Sequence, residues 1–536
     1  MSLLSKLFKK KTVRQKDNYR QQQDPSKPED LPIERNYKNS ISRLKEELGD
    51  STDFATREFT LQKYKGVAVY IDGLVNNQMI SDFFMDSLLK IQDEIITDSF
   101  QYMVDKATSL GNIQTIHTWD QVYEGLLSGN TIIFVDGFTK AINIETKGWD
   151  KRAISEPSTQ LSIRGPKDSF VESIRTNTAL IRRRIKSPNL WLETMRIGTV
   201  TQTDIGIMFI KGIADDKIIK EVKKRLTQIK IDSIVDSGYI EQLIEDQTWT
   251  SFPTTYHSER PDVICSQLLE GRVAVLVDGS PFVLTAPAVF IQFFQAPDDY
   301  YARFDISTGI RLLRLLAFFI ALVGPALYIA VTTFHQEMVP TTMIIALAAQ
   351  RENVPFPAFI EALIMEITFE ILREAGLRLP RSVGQAVSIV GALVIGQAAV
   401  QAGFVSPVMV IVVALTAIAN FSTPTFAMAI SARLLRFVLM GLATMLGFYG
   451  IMIGIMFMTI HLCSLRSFGV PYMSPIAPLN IKGQQDVLIR FPVWAMKNRP
   501  PLISEGNLRR TGTNQKPAPS KQKGNDFNNQ QKGDQS

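Results

Sequence analysis

Leu315-Leu316-Ala317-Phe318-Phe319-Ile320-Ala321-Leu322-Val323-Gly324-Pro325-Ala326-Leu327-Tyr328-Ile329-Ala330-Val331-Thr332-Thr333-Phe334 runs for twenty residues without an Asp, Glu, Lys or Arg. A helix rising about 1.5 Å per residue needs about 20 such residues to cross a hydrocarbon core of about 30 Å. Two longer runs of the same kind follow, Ser382–Ala432 with fifty-one residues and Phe437–Leu465 with twenty-nine. The first and third runs predict one span each, and the middle one two, bent at Gly403-Phe404-Val405-Ser406-Pro407. Soluble core helices seldom stay uncharged this long, and Gly384, Gly391, Gly396, Gly441, Gly447, Gly450 and Gly454 are of the kind common in membrane helices.

Residues 1–305 read differently, as an ordinary soluble chain, so the near-average composition (45% apolar, 21% charged) conceals a sharp split. The fold class expected is an α/β soluble N-terminal region of two duplicated subdomains, followed by an all-α transmembrane domain. The duplication shows in two pairs of segments. Val67-Ala68-Val69-Tyr70-Ile71-Asp72-Gly73-Leu74 followed by helix Gln78–Lys90 answers Ile205-Gly206-Ile207-Met208-Phe209-Ile210-Lys211-Gly212-Ile213 followed by helix Asp215–Gln228. Leu126-Leu127-Ser128-Gly129 through Asp136-Gly137 answers Leu268-Leu269-Glu270-Gly271 through Asp278-Gly279. Nearly equal offsets predict subdomains over 55–165 and 190–305, joined by a helix within 166–190 (Lys167–Lys186). Residues 1–50 and 505–536, rich in Gln, Asn, Lys, Gly or Pro, read as disordered tails. A membrane domain is expected over 308–465, with spans near 312–334, 382–402, 406–430 and 437–462, and a cytoplasmic segment over 466–504.

No apolar run follows the basic Lys6–Lys11 stretch, so no signal peptide is read, and the front half is expected to stay cytoplasmic. Arg303, Arg311 and Arg314 precede the first span, and Arg466, Lys482, Arg490, Lys497 and Arg499 follow the last. The positive-inside rule puts both ends inside, while Arg433 and Arg436 fall on the outer side against it. Both ends carry a basic excess, ten basic against five acidic residues in 1–40 and eight against three in 497–536, which suits anionic membrane lipid, and no nucleic-acid motif accompanies it.

Enzymatic chemistry finds little support. There is no P-loop, no Gly-x-Gly-x-x-Gly after a strand, no Cys/His cluster, and four His in all. No cofactor or metal is expected. The repeated Asp-Gly pairs fit type I′ hairpin turns better than metal ligands, since no second carboxylate recurs beside them. Arg182-Arg183-Arg184-Ile185-Lys186, with Arg164-Gly165-Pro166, reads as a solvated helix face or partner contact before a phosphate site.

Chemistry concentrates in Pro357–Gly376, a helix between the first two spans. Glu366, Glu370 and Glu374 recur at i, i+4 and fall in one stripe. Facing lipid at the bilayer centre, each would cost about 2.5–3.5 kcal/mol, so the stripe must face water, a basic partner or a lumen. Two readings stay open: an amphipathic helix on the outer surface with Arg373 pairing Glu370, or a partly inserted helix 357–376 whose glutamates line a cation path. Pro424, in Asn420-Phe421-Ser422-Thr423-Pro424, marks a kink or break in the third span.

Arg164-Gly165-Pro166 with Asn177–Arg184, Pro357–Pro380, Gln385–Val400 and Arg466-Ser467-Phe468-Gly469-Val470-Pro471-Tyr472 together resemble the GerA-type spore germination receptor A subunit over about 55–500. That resemblance implies a spore inner-membrane protein that triggers germination. It implies a B subunit similar to amino-acid transporters and a lipoprotein C subunit as partners, and a homo-oligomer, a pentamer, around an ion pathway. It also implies a soluble part of two α/β subdomains. A secondary transporter and a non-conducting scaffold are the alternatives.

Overall fold

The computed structural model describes residues 31–61, 64–82, 100–101, 104, 112–148, 156–379, 394, 396–504, 507–512 and 515–517. The chain falls into two compact units, Met1–Trp149 and Asp150–Ser536.

In the first unit, strands β1 (Phe54–Leu61), β2 (Tyr64–Ile71), β3 (Ile113–Ile116), β4 (Thr131–Val135) and β5 (Ala141–Ile144) form an antiparallel sheet of order β1-β2-β4-β5-β3. Helices α1 (Tyr37–Glu47), α2 (Asn77–Asp82) and α3 (Trp119–Leu127) belong to the same unit. The second unit repeats the pattern. Strands β6 (Leu190–Ile197), β7 (Thr203–Ile210), β8 (Tyr256–Ser258), β9 (Val273–Val277) and β10 (Val283–Ala286) take the order β6-β7-β9-β10-β8. Alternation decides its layers. Ala274 and Leu276 point to helices α4 (Ile174–Arg184) and α7 (Pro261–Leu269), whereas Val273, Val275 and Val277 point to α5 (Asp216–Gln228) and α6 (Ser237–Ile244).

The repeat is wider than the sequence predicts. Gly279 N–H donates to Glu172 C=O just before α4, and Gly137 N–H donates to Arg35 C=O just before α1. The helix read as a linker is therefore the first helix of the second repeat, shortened to 174–184. Its counterpart, α1, occupies part of the 1–50 segment read as a disordered tail. The boundary expected at 165 moves to Trp149/Asp150, because the Glu259 carboxylate accepts from Thr159 and Gln160, and Arg260 donates to the Gln160 and Pro166 carbonyls. The Asp-Gly pairs Asp136-Gly137 and Asp278-Gly279 begin five-residue hairpin loops, and only their glycines take positive φ (89° and 87°). A type I′ turn needs both central residues there, so that turn type is not used. Asp278 instead caps α4 by accepting from Ile174 N–H at 3.0 Å. Of helix Gln78–Lys90, residues beyond Asp82 lie outside the described residues.

Two residues of the basic run are structural. Arg182 is buried and donates to Leu190 C=O, and Arg184 holds Asp168 through a guanidinium nitrogen 2.6 and 2.7 Å from its two oxygens.

After α8 (Asp298–Tyr301), the helical part comprises α9 (Phe304–Thr333), α10 (Thr341–Arg351), α11 (Ala358–Arg378), α12 (Pro407–Phe421), α13 (Phe426–Leu446) and α14 (Phe448–Ser464). Among the described residues, α9 and α13 are long and apolar enough to cross a membrane, and α12 and α14 are shorter apolar helices. The predicted spans 406–430 and 437–462 are corrected. Residues 422–425, with Pro424 among them, separate α12 from α13, and Gly447 alone joins α13 to α14 (φ 59°, ψ −135°). Most of the span read at 382–402 lies outside the described residues, as does most of 505–536.

The C-terminal segment 466–504 folds onto the second subdomain. Its hairpin β11 (Arg466–Ser467) and β12 (Val470–Pro471) is tied down by Ser467 Oγ, which donates to Thr254 C=O at 2.6 Å.

Candidate functional site: a carboxylate–arginine ladder among the apolar helices

Helix α11 starts at its cap Pro357, which fixes φ without needing an N–H. Its glutamates then meet basic groups rung by rung. Glu361 is fully buried. One oxygen accepts from Arg351 at 3.2 Å, and the other accepts from the Ser406 N–H and hydroxyl at 3.1 and 2.9 Å, at the start of α12. Glu366, also fully buried, accepts from Arg436 of α13. Glu370 accepts from Arg433 at 3.0 Å and from Arg373 at 2.5 Å. Glu374 pairs with Arg378 at 2.7 Å in the open. Ascending residue numbers on α11 meet descending ones on α13, so the two helices run antiparallel at the same level of the bundle.

The match is geometric. Carboxylates four apart and arginines three apart each repeat about once per helical turn, so two antiparallel helices bring them opposite each other. The i, i+4 spacing predicts the stripe and its Arg373 neighbour, whereas the span count puts Arg433 and Arg436 on the outer side of the membrane. They lie buried inside α13. Glu361 and Arg351 carry no signal in the sequence, and Ser406 shows there only as part of the bend at 403–407. Four atoms of the ladder, Glu366 Oε1, Glu370 Oε1, Arg373 Nε and Arg436 Nε, are buried without a hydrogen-bond partner among the described residues. Such groups retain capacity for a further polar contact.

A second ionic cluster lies where α9 leaves the soluble subdomain. Asp299 accepts from Arg314 at 2.7 Å and Arg311 at 3.3 Å, and Asp486 of the C-terminal segment takes Arg311 at 2.9 Å and the Tyr300 hydroxyl at 2.5 Å. Arg490 donates to the Tyr300 and Ala302 carbonyls. Two of the three arginines read as orientation signals therefore also fasten α9 to the soluble half. Among the described residues no three His, Cys, Asp or Glu side chains gather as a metal ion would require.

A model of the Bacillus/Clostridium GerA spore germination proteins matches residues 42–502. The chain belongs to the GerA family. Spore germination protein KA of Bacillus subtilis (strain 168) is 55% identical to this GerA-family chain over 519 residues, 96% of the chain and 95% of that protein. YfkQ of the same organism, described as an uncharacterized membrane protein, is 45% identical over 481 residues, 89% of this chain and 93% of its own. The crystal structure of the N-terminal domain of the A subunit of the Bacillus megaterium spore germinant receptor GerK3 is 42% identical, covering 49% of this chain and 99% of that one, with a TM-score of 0.40.

Proposed function

We propose that this GerA-family chain is the A subunit of a germinant receptor in the spore inner membrane, and that copies of it assemble, as a pentamer, into a ligand-gated cation channel. It works there beside a transporter-like B subunit and a lipoprotein C subunit. The observation that carries the channel reading is the ladder itself. Ionisable groups set among apolar helices are expensive and tend to be functional. Here they are graded from Glu361 and Glu366, sealed inside the bundle, to Glu374, open to solvent. In a symmetric ring, Glu374 and the half-buried Glu370 are the carboxylates that opening would free from Arg378 and from Arg373 and Arg433 to attract cations. Glu366–Arg436 and Glu370–Arg433 hold α11 against α13, and Pro424 lies in the break from which α13 starts. A germinant bound on a partner opens the ring only through its differential affinity for the open and closed states.

The test is conductance of the purified chain in planar bilayers. Glu374→Gln and Glu370→Gln are expected to lower cation current and selectivity, and potassium release from spores, while the assembled complex persists. One observation favours a second reading, a non-conducting scaffold: Glu361, Glu366, Glu370 and Glu374 each already have an arginine partner within one chain. Unchanged current and potassium release in both variants, or no current from the unmutated chain, would leave the scaffold.

A further inference from the structure

Trp249 is 92% exposed, the most exposed aromatic side chain among the described residues. It stands in the loop from α6 to β8, and that loop is not loose. Thr250 Oγ1 lies 2.9 Å from His461 Nε2, in the last turn of α14. The Ser251 carbonyl accepts from Ser431 of α13, and the Thr254 carbonyl accepts from Ser467 just past α14. Phe252, the next aromatic, turns inward and is buried against Phe290 and His461. A loop pinned on both sides of Trp249's neighbours thus sends one aromatic ring in and holds the other out, beside the ends of two apolar helices.

What covers the outer ring follows from continuity. Phe457 and Ile460 of α14 are exposed at 64% and 58%, and Phe457 stands one turn before His461 on the same face. The apolar exterior of α14 therefore runs down to His461, to Thr250 and on to Trp249. Arg466, exposed, follows at the end of the helix. An apolar helix surface ending in an outward tryptophan and a cation is the sequence of groups met on passing from acyl chains to headgroups. Tryptophan, with an apolar ring and one N–H, concentrates at that boundary.

We propose that the 245–255 loop of the second subdomain is a membrane-surface anchor, with the Trp249 indole seated at the headgroup level of the bilayer beside the end of α14. The anchor rests on reading α13 and α14 as membrane helices. It fixes the distance of the second subdomain from the bilayer, so that the Arg311–Asp299–Asp486 cluster sits just outside the headgroups.

The experiment uses the full chain in nanodiscs of phosphatidylcholine and phosphatidylglycerol. Subtracting the emission of Trp249→Phe from that of the unmutated chain isolates Trp249 from the other tryptophans, and a surface position tolerates Phe. The difference emission is expected to be largely lost with lipids brominated near the glycerol end of the acyl chain, less with lipids brominated near the methyl end, and to be shielded from aqueous iodide. Loss to iodide with indifference to both bromolipids overturns the anchor in favour of free solvent. Shielding from all three overturns it in favour of a second copy or a partner protein. A Phe457→Trp variant separates the two readings. Bromolipid quenching of Trp at 457 without quenching at 249 removes the anchor alone, and no quenching at 457 removes the membrane placement of α14 and the anchor with it.

Discussion

Glu366 and Arg436 meet where neither has water to fall back on, so each depends on the other for its charge. Breaking such a buried pair by removing one partner costs about 3–5 kcal/mol, whereas replacing both with apolar residues of similar volume is often neutral or better. Glu366→Gln is therefore expected to lower the melting temperature of the detergent-solubilised chain clearly, and Glu366→Leu with Arg436→Met to restore most of it. A neutral single variant would mean that the two charges do not share a buried contact. The double variant serves a second purpose: if it folds and assembles but no longer opens on germinant, the pair belongs to gating rather than to stability. One half of this ladder was legible in the sequence. Carboxylates at i, i+4 announce themselves, because no lipid-facing helix tolerates them. Their partners were not, because Arg433 and Arg436 precede an uncharged run of twenty-nine residues that reads as a complete span.

That run is two pieces, and one residue divides it. Gly447 takes φ 59° and ψ −135°, open in practice only to glycine, and an added Cβ would sit 2.7 Å from the His335 ring. A lone glycine between apolar helices produces no change in composition, so hydropathy runs straight through it. Gly447→Ala is expected to destabilise the α13–α14 hairpin by about 1–3 kcal/mol, readable as earlier thermal loss of helix by circular dichroism. An unshifted transition would place the turn elsewhere. Gly129 and Gly271 argue the opposite case at the same scale. Both take positive φ, and an added Cβ at either would press on a backbone carbonyl, of Leu74 or of Ile213. These are equivalent positions in the two repeats, and a constraint imposed twice leaves a pattern that self-comparison finds. The helices α1 and α4 escaped it because they share a docking site and not a sequence motif.

Within the second unit, the second subdomain joins the helices through polar as well as apolar contacts, and its titrating groups set how that subdomain responds to pH. Burial, with the charge of Glu241 adding to it, pushes Glu245 up to about 7. Burial works to lower His257, but the Glu241 carboxylate, 3.6 Å away, overrides it and holds His257 above its ordinary value. Glu241 is opposed by its burial yet held below the usual range by His257 and the Thr255 hydroxyl. The signs then combine by linkage. Glu245 binds its proton more tightly when folded, so its contribution is greatest below the ordinary glutamate value and falls away as pH rises to about 7. His257 contributes fully below its unfolded value and loses that contribution as pH rises through its raised folded value. Glu241 contributes above its unfolded value and loses that only as pH falls through its lowered one. Stability carried by these three groups therefore peaks in weakly acid solution and declines toward alkaline pH. Calorimetry of the full chain in detergent is expected to show its soluble-domain transition moving to lower temperature between about pH 5 and 8. Glu245→Gln should flatten the lower part of that slope, and His257→Gln the upper part. A transition indifferent to pH in the unmutated chain would mean that folding shifts neither Glu245 nor His257.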